Sequence, residues 1–128
     1  MLVEDVMRRD VTLIKPYATL KEALLLMKEK GLKSLVVDKN SSGDAYGIIT
    51  NTQILKMILA EDGEIELLNV FDVYEKPAFS VSAKIDIRYA AKIMIMHNIK
   101  RVVVTDNNEL EGVLSITDLT HYLMSLVE

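Results

Sequence analysis

Two stretches of the chain share one amphipathic pattern. In "TLKEALLLMKEKG", Leu20, Ala23, Leu24 and Met27 fall at i, i+3, i+4 and i+7, the apolar stripe of a helix. Thr19 and Glu22 have the spacing of a capping box ahead of it. Gly31 supplies a left-handed stop. In the second stretch Asp86 caps, Ile87, Ala90, Ala91 and Met94 form the stripe, and Asn98 stands where the glycine was. Asparagine is the next best residue for that conformation, because its short side chain tolerates positive φ. Each helix is followed by a β-branched run, "SLVVD" or "RVVVT", then a polar turn, then "YGIIT" or "EGVLS". Two such runs around a turn read as a hairpin. A further helix is expected at about 52–60 and about 116–126. Ahead of each long helix lie a helical turn ("VEDVM", "VFDVY") and a strand ("VTLI", "AFSV").

These elements are one unit written twice. At one constant offset Asp5 meets Asp72, Ala23 meets Ala90, Met27 meets Met94, Lys33 meets Lys100, and Val36-Val37 meet Val103-Val104. After Asn40 and Asn107 the offset shortens by two, because the first copy has a longer turn, "NSSGDAY". An insertion confined to a turn, with register kept on both sides, marks a duplicated folding unit. The repeats span 1–62 and 63–128, with the acidic "EDGEIE" as a short linker between them. One copy has a small sheet that needs cover on its second face. The expected fold is therefore α/β (α+β-like). Two repeats of helix-strand-helix-strand-strand-helix pack sheet to sheet about a pseudo-twofold axis, as one compact pair with two equivalent clefts.

Composition narrows the chemistry. Half of the 128 residues are hydrophobic, enough for a substantial core. Cysteine is absent, which removes disulfides, thiolate metal sites and thiol catalysis. The two histidines, His97 and His121, are far apart and give little support to a metal site. The formal net charge is −4 and the basic residues are scattered, so a nucleic-acid surface is not expected. No apolar run approaches the roughly 18–20 residues that cross a bilayer. The first ten residues, "MLVEDVMRRD", do not read as a signal peptide. A cytoplasmic location is the expectation. No nucleophile–base–orienter set and no phosphate-binding glycine loop appears, so the chain is not expected to be an enzyme.

One phrase carries candidate chemistry. Residues 111–120 read "EGVLSITDLT" and residues 46–55 read "YGIITNTQIL". Each is glycine, two aliphatics, a hydroxyl, two residues, then Asp118 or Gln53. With the "ATLKEALLLM" helix and the repeat length, this doubled phrase resembles a tandem pair of CBS (cystathionine β-synthase) domains, a Bateman module. The resemblance covers essentially the whole chain. It implies two α/β units, a homodimer of four repeats, and a module that binds an adenosyl ligand (AMP, ADP, ATP or S-adenosylmethionine) as regulator rather than cofactor. It also implies a regulated partner protein, with no effector domain in this chain itself.

An adenosine nucleotide presents a vicinal diol, and an ionised carboxylate accepts from both hydroxyls. Asp118 suits that task. A phosphate takes backbone N–H groups at a helix start, a hydroxyl and a cation. Ser115, with the Ile116 and Thr117 amides behind it, supplies the first two. The resemblance closes this cleft with Thr12, Leu13, Leu32 and Lys33 of the first copy, Lys33 being the cation. The second cleft joins Thr50 and Gln53 to Phe79, Ser80, Ile99 and Lys100. Gln53 departs from the family pattern and carries no charge, so the Asp118 cleft is expected to bind and the Gln53 cleft to be weak or empty. Leu35, Val102 and Ala83 also stand where the family often has proline.

Simpler readings stand beside these. Thr50-x-x-Gln53 is a capping box without any ligand, and Ser115-x-x-Asp118 is close to one. Lys33 and Lys100 follow helix stops, where a solvated cation is ordinary. Met27, Met57, Met94, Met96 and Met124 read as core or dimer-face residues, His121 as a surface histidine, and the tyrosines as edge packing. The alternative function is a ligand-free dimerisation scaffold.

Overall fold

The computed structural model describes residues 1–127. The elements run α1 (Val3–Val6), β1 (Leu13–Ile14), α2 (Leu20–Lys30), β2 (Ser34–Val37), β3 (Gly47–Thr50) and α3 (Asn51–Leu55) with a π turn (Lys56–Ala60). A 3-10 turn (Val70–Asp72) opens the second copy, followed by β4 (Ser80–Ser82), α4 (Ile87–Met96), β5 (Arg101–Asp106), β6 (Glu109–Ser115) and α5 (Ile116–Ser125). The order of elements in each repeat is the expected one, and the fold is α+β.

The helix signals read from the sequence act as expected. Thr19 Oγ1 accepts from the Glu22 N–H at 3.0 Å, and Asp86 Oδ1 accepts from the Arg88 N–H at 2.9 Å. Gly31 takes φ +65° and Asn98 φ +54°, so both helix stops are left-handed. Two expectations need adjusting. The entering strands are shorter than "VTLI" and "AFSV", although Thr12 O still accepts from Val36 N and Phe79 O from Val103 N. The helix expected at 52–60 changes to π geometry halfway, whereas α5 keeps α geometry through Ser125.

Two compact units form, and their boundaries cut across the repeats. The middle unit is Thr12–Ala78; the outer unit is Met1–Val11 with Phe79–Glu128. In the middle unit β1 pairs parallel with β2, and β2 antiparallel with β3, with Val36 opposite Ile48. In the outer unit β4 pairs parallel with β5, and β5 antiparallel with β6, with Val103 opposite Val113. A parallel pair needs a crossover, and α2 and α4 supply it. One core gathers Leu20, Met27, Leu35, Ile49, Ile54 and Val70; the other gathers Val3, Met94, Val102, Val104 and Leu114. Of the methionines, Met27 and Met94 are buried core residues, while Met96 and Met124 are exposed.

The mixed boundaries come from an exchange. The short first helix of each copy packs into the core of the unit that holds the rest of the other copy. Val3 of α1 is fully buried in the outer core, and Val70 of the 3-10 turn is fully buried in the middle core. After its helix each segment runs along the hairpin as a strap. Arg8 and Val113 exchange two backbone hydrogen bonds of 2.9 Å, and Glu75 and Ile48 do the same. This crossing accounts for the glycine in both copies of the repeated phrase. A Cβ on Gly112 would lie 2.5 Å from Arg8 O, and one on Gly47 would lie 2.4 Å from the Tyr74 ring and 2.9 Å from Glu75 O.

The longer hairpin turn of the first copy is tied to its strap. Lys76 Nζ meets the Asp44 carboxylate at 2.8 Å. The Asn40 N–H, the Lys76 ammonium and the Ala45 N–H hold the Asp44 pKa down to about 2. A depressed folded-state pKa contributes stability above the ordinary value and loses it as the pH falls through the folded one. Asp44→Asn is therefore expected to melt below the parent at pH 6, with the gap closing between about pH 4 and pH 2. Melting curves across that range check it; a gap that stays constant would count against the assignment.

Candidate functional site

Both copies of the repeated phrase form the start of a helix. Strand β6 ends at Ser115, whose φ of −119° and ψ of 162° turn the chain into α5. Ser115 Oγ accepts from Asp118 N at 3.1 Å, and Asp118 Oδ2 accepts from Ser115 N at 2.9 Å. Thr50 and Gln53 repeat this, at 3.2 Å and 2.9 Å. Each pair is a closed capping box, which satisfies two orphan N–H groups. The capping reading of these residues is thus correct for both copies.

What remains after capping differs between them. Asp118 is half-buried, and its second oxygen has no donor and no ion pair among the described residues. Gln53 has spent its only oxygen and has an amide NH2 in its place. One copy therefore offers an ionised acceptor at its helix start, and the other offers a neutral donor. The Ile116 N–H donates to Lys100 O at 3.0 Å and the Asp118 N–H is held by Ser115. The Thr117 N–H has no acceptor among the described residues, which leaves one backbone donor free at the positive end of α5.

Asp118 borders a hollow of about 350 Å³ in the outer unit. Asp5 and Val6 of α1 line one side; Asp118, His121, Tyr122 and Ser125 of α5 line the other. The α5 residues fall at i, i+3, i+4 and i+7, so they share one helix face. Asp5 Oδ2 accepts from the Leu2 N–H at 2.8 Å, which fixes that carboxylate as the cap of α1. The hollow is open to solvent over much of its boundary. Among the described residues no group of three or more His, Asp or Glu could hold a metal ion.

The other candidate residues divide between the units. Phe79, Ser80, Ile99 and Lys100 are in the outer unit with Ser115, Ile116, Thr117 and Asp118. Phe79 is stacked on His97 with ring centroids 5.9 Å apart. Thr12, Leu13, Leu32 and Lys33 are in the middle unit with Thr50 and Gln53. There the Lys33 carbonyl accepts from the Asn51 N–H at 2.9 Å, as Lys100 does for Ile116. Sequence reasoning did not bring Asp5 to Asp118. The available signal was the repeat itself, in which Asp5 echoes Asp72, although nothing local says what α1 packs against.

The CBS domain profile matches residues 3–60 and 70–125. The chain belongs to the CBS domain family. Each matched CBS span begins with the short helix that takes part in the exchange. An uncharacterised protein of Methanopyrus kandleri is 28% identical over 130 residues, covering 98% of this chain and 66% of its own length. The CBS pair thus spans slightly less than two thirds of that relative. A hexameric CBS-CP12 protein from bloom-forming cyanobacteria superposes with a TM-score of 0.88 at 29% identity, over 94% of this chain and 69% of that one. The CBS pair of protein MJ0100, solved with 5-methylthioadenosine and S-adenosyl-L-methionine, superposes with a TM-score of 0.85 over 98% of both chains. At 19% identity that second likeness speaks to the CBS fold alone. Among the described residues, no helix of this CBS pair is long and apolar enough to cross a membrane.

Proposed function

We propose that this CBS pair is a regulatory module that binds an adenosyl ligand (AMP, ADP, ATP or S-adenosylmethionine) and signals its presence to a partner protein, without catalysing a reaction. It acts in the cytoplasm as a homodimer. The observation that carries the reading is the unspent oxygen of Asp118 at the start of α5, beside a hollow. A fixed carboxylate accepting from both hydroxyls of a ribose makes charge-assisted bonds, roughly twice as strong as neutral ones. The free Thr117 N–H is a second anchor for a ligand oxygen. The adenosyl ligands in the structure of a protein with the same fold support the ligand class.

A thermal shift series tests it. A ligand at 100 times its dissociation constant adds about 2.7 kcal/mol of stability, a shift of several degrees for a domain of this size. AMP, ADP, ATP and S-adenosylmethionine are each titrated, and at least one is expected to give that shift. A flat response to all four would refute the reading.

A second reading, a ligand-free scaffold, is favoured by one observation. Leu123, Met124, Leu126 and Val127 at the end of α5, and Ile95 and Met96 at the end of α4, are well exposed. Its mark is an oligomer by light scattering that stays unliganded under saturating nucleotide.

A further inference from the structure

We infer that an exposed apolar patch on the middle unit, Tyr17, Leu67 and Phe71, is the docking surface for the partner protein, and that it fits a basic segment carrying apolar anchors. This rests on the partner-signalling part of the proposed reading and names where the partner sits; it uses no residue of the Asp118 hollow. The patch lies on two segments that run side by side. Val70 N donates to Ala18 O at 2.8 Å, Phe71 N to Pro16 O at 2.9 Å, and Leu20 N to Leu68 O at 3.0 Å. Ala18, Leu20 and Val70 belong to the middle core, and Leu68 packs against it. The residues beside them face water: Tyr17 is 69% exposed, Phe71 53% and Leu67 72%. Apolar surface rimmed by polar groups marks an interaction site, and aromatic residues are enriched in interface cores.

The duplication tells whether folding needs these aromatics. In the outer unit Val3 N donates to Ile85 O at 2.9 Å and Glu4 N to Ala83 O at 3.0 Å, the counterparts of the Val70 and Phe71 bonds. By the repeat offset Glu4 stands where Phe71 does, and Lys84 where Tyr17 does. Their side chains form an ion pair of 2.8 Å. One backbone arrangement thus carries a charged pair in one unit and two exposed aromatic rings in the other, so the fold does not demand the rings. The surrounding charge selects the occupant. Residues 61–75 hold six exposed carboxylates, Glu61, Asp62, Glu64, Glu66, Asp72 and Glu75, and no Lys or Arg. That exceeds the net −4 of the whole chain, so the rest of the chain is net positive. Among the described residues only Glu66 of the six has an ion pair, at 3.7 Å with Lys21. The same patch on a second copy would bring like charges together, which opposes that pairing. A cationic segment is drawn to the carboxylates, and its apolar side chains cover the rings.

A synthetic amphipathic peptide of Lys and Leu is the probe, with a Glu–Leu and a Lys–Ser peptide of equal length as controls. Binding is followed by NMR of the labelled protein and by fluorescence anisotropy. The Lys–Leu peptide is expected to shift the amides of Tyr17, Leu67 and Phe71, and to bind about tenfold tighter than either control. The variant Tyr17→Lys with Phe71→Glu moves the outer unit's pair onto the middle unit. It leaves the net charge unchanged and keeps all six carboxylates. It is expected to melt with the parent and to bind the Lys–Leu peptide about tenfold more weakly. Leu67→Ser, at a position that faces water, is a second variant and is expected to weaken binding in the same direction. No binding, binding that both variants keep, or shifts confined to other parts of the chain overturns the inference. So does a parent that self-associates through the patch in light scattering while the double variant does not, since a second copy would then be the occupant. None of these results bears on the thermal shifts with adenosyl ligands. Flat thermal shifts beside intact peptide binding would refute the ligand reading and leave the docking surface standing.

Discussion

Gly112→Ala is expected to destabilise the protein by about 2 kcal/mol, lowering its melting temperature by several degrees. The added methyl would lie 2.5 Å from the Arg8 carbonyl oxygen and 2.9 Å from Met7 Sδ. Met7 can swing aside, but the carbonyl is held in place by the hydrogen bond from Val113 N. Relief requires the strap to lift from β6, which breaks the Arg8–Val113 pair and loosens Val3 and Met7 in the core. Gly47→Ala is expected to behave alike, because its methyl would meet both the Tyr74 ring and the Glu75 carbonyl. Gly43→Ala is the control. Nothing lies within 4 Å of its added methyl, so its cost is expected to stay within about 0.5 kcal/mol. Calorimetric melts of the three variants decide the matter; a Gly112→Ala protein that melts with Gly43→Ala would mean that the strap does not press on the strand.

These glycines show where sequence reading succeeded and where it stopped. The pattern placed both in their hairpins and aligned them across the repeat, since local signals set strand, turn and helix. Gly31 and Asn98 end their helices as their backbone freedom requires. What the pattern could not say is why the glycines are needed. The answer lies in Arg8 and Glu75, residues of straps that cross the hairpins by long-range packing. The same blindness hid the exchange of Val3 and Val70 between units and the approach of Asp5 to Asp118. No residue between 3 and 11 states which of two similar cores it will join. The π turn after Leu55 was also not legible, since "KMILA" has ordinary helical composition. At the helix starts the sequence offered two readings, capping and ligand binding. The structure shows that capping uses one oxygen of Asp118 and leaves the other available, so the two roles are compatible on one side chain.

That compatibility allows Asp118→Gln to separate ligand binding from folding. Alanine at 118 would remove the acceptor for the Ser115 N–H as well as the charge, so a lost ligand and a frayed helix would be confounded. Glutamine is different because the chain already contains the answer. Gln53, at the same place in the repeat, accepts from the Thr50 N–H at 2.9 Å and closes the same capping box. Asp118→Gln is therefore expected to melt within about 0.5 kcal/mol of the parent. Its affinity for the adenosyl ligand is expected to fall far more. A hydrogen bond to a charged group contributes about 1.5–3 kcal/mol and a neutral one about 0.5–1.5. Losing the charge at a ribose diol then costs on the order of 1–3 kcal/mol, roughly 5- to 150-fold in dissociation constant. The converse change, Gln53→Glu, keeps a hydroxyl-x-x-Glu capping box and adds the missing charge. It is expected to raise the binding stoichiometry toward two ligands per chain in isothermal titration. An Asp118→Gln protein that keeps its melting temperature and also keeps its affinity would assign Asp118 to capping alone, and the ribose would have to be held elsewhere.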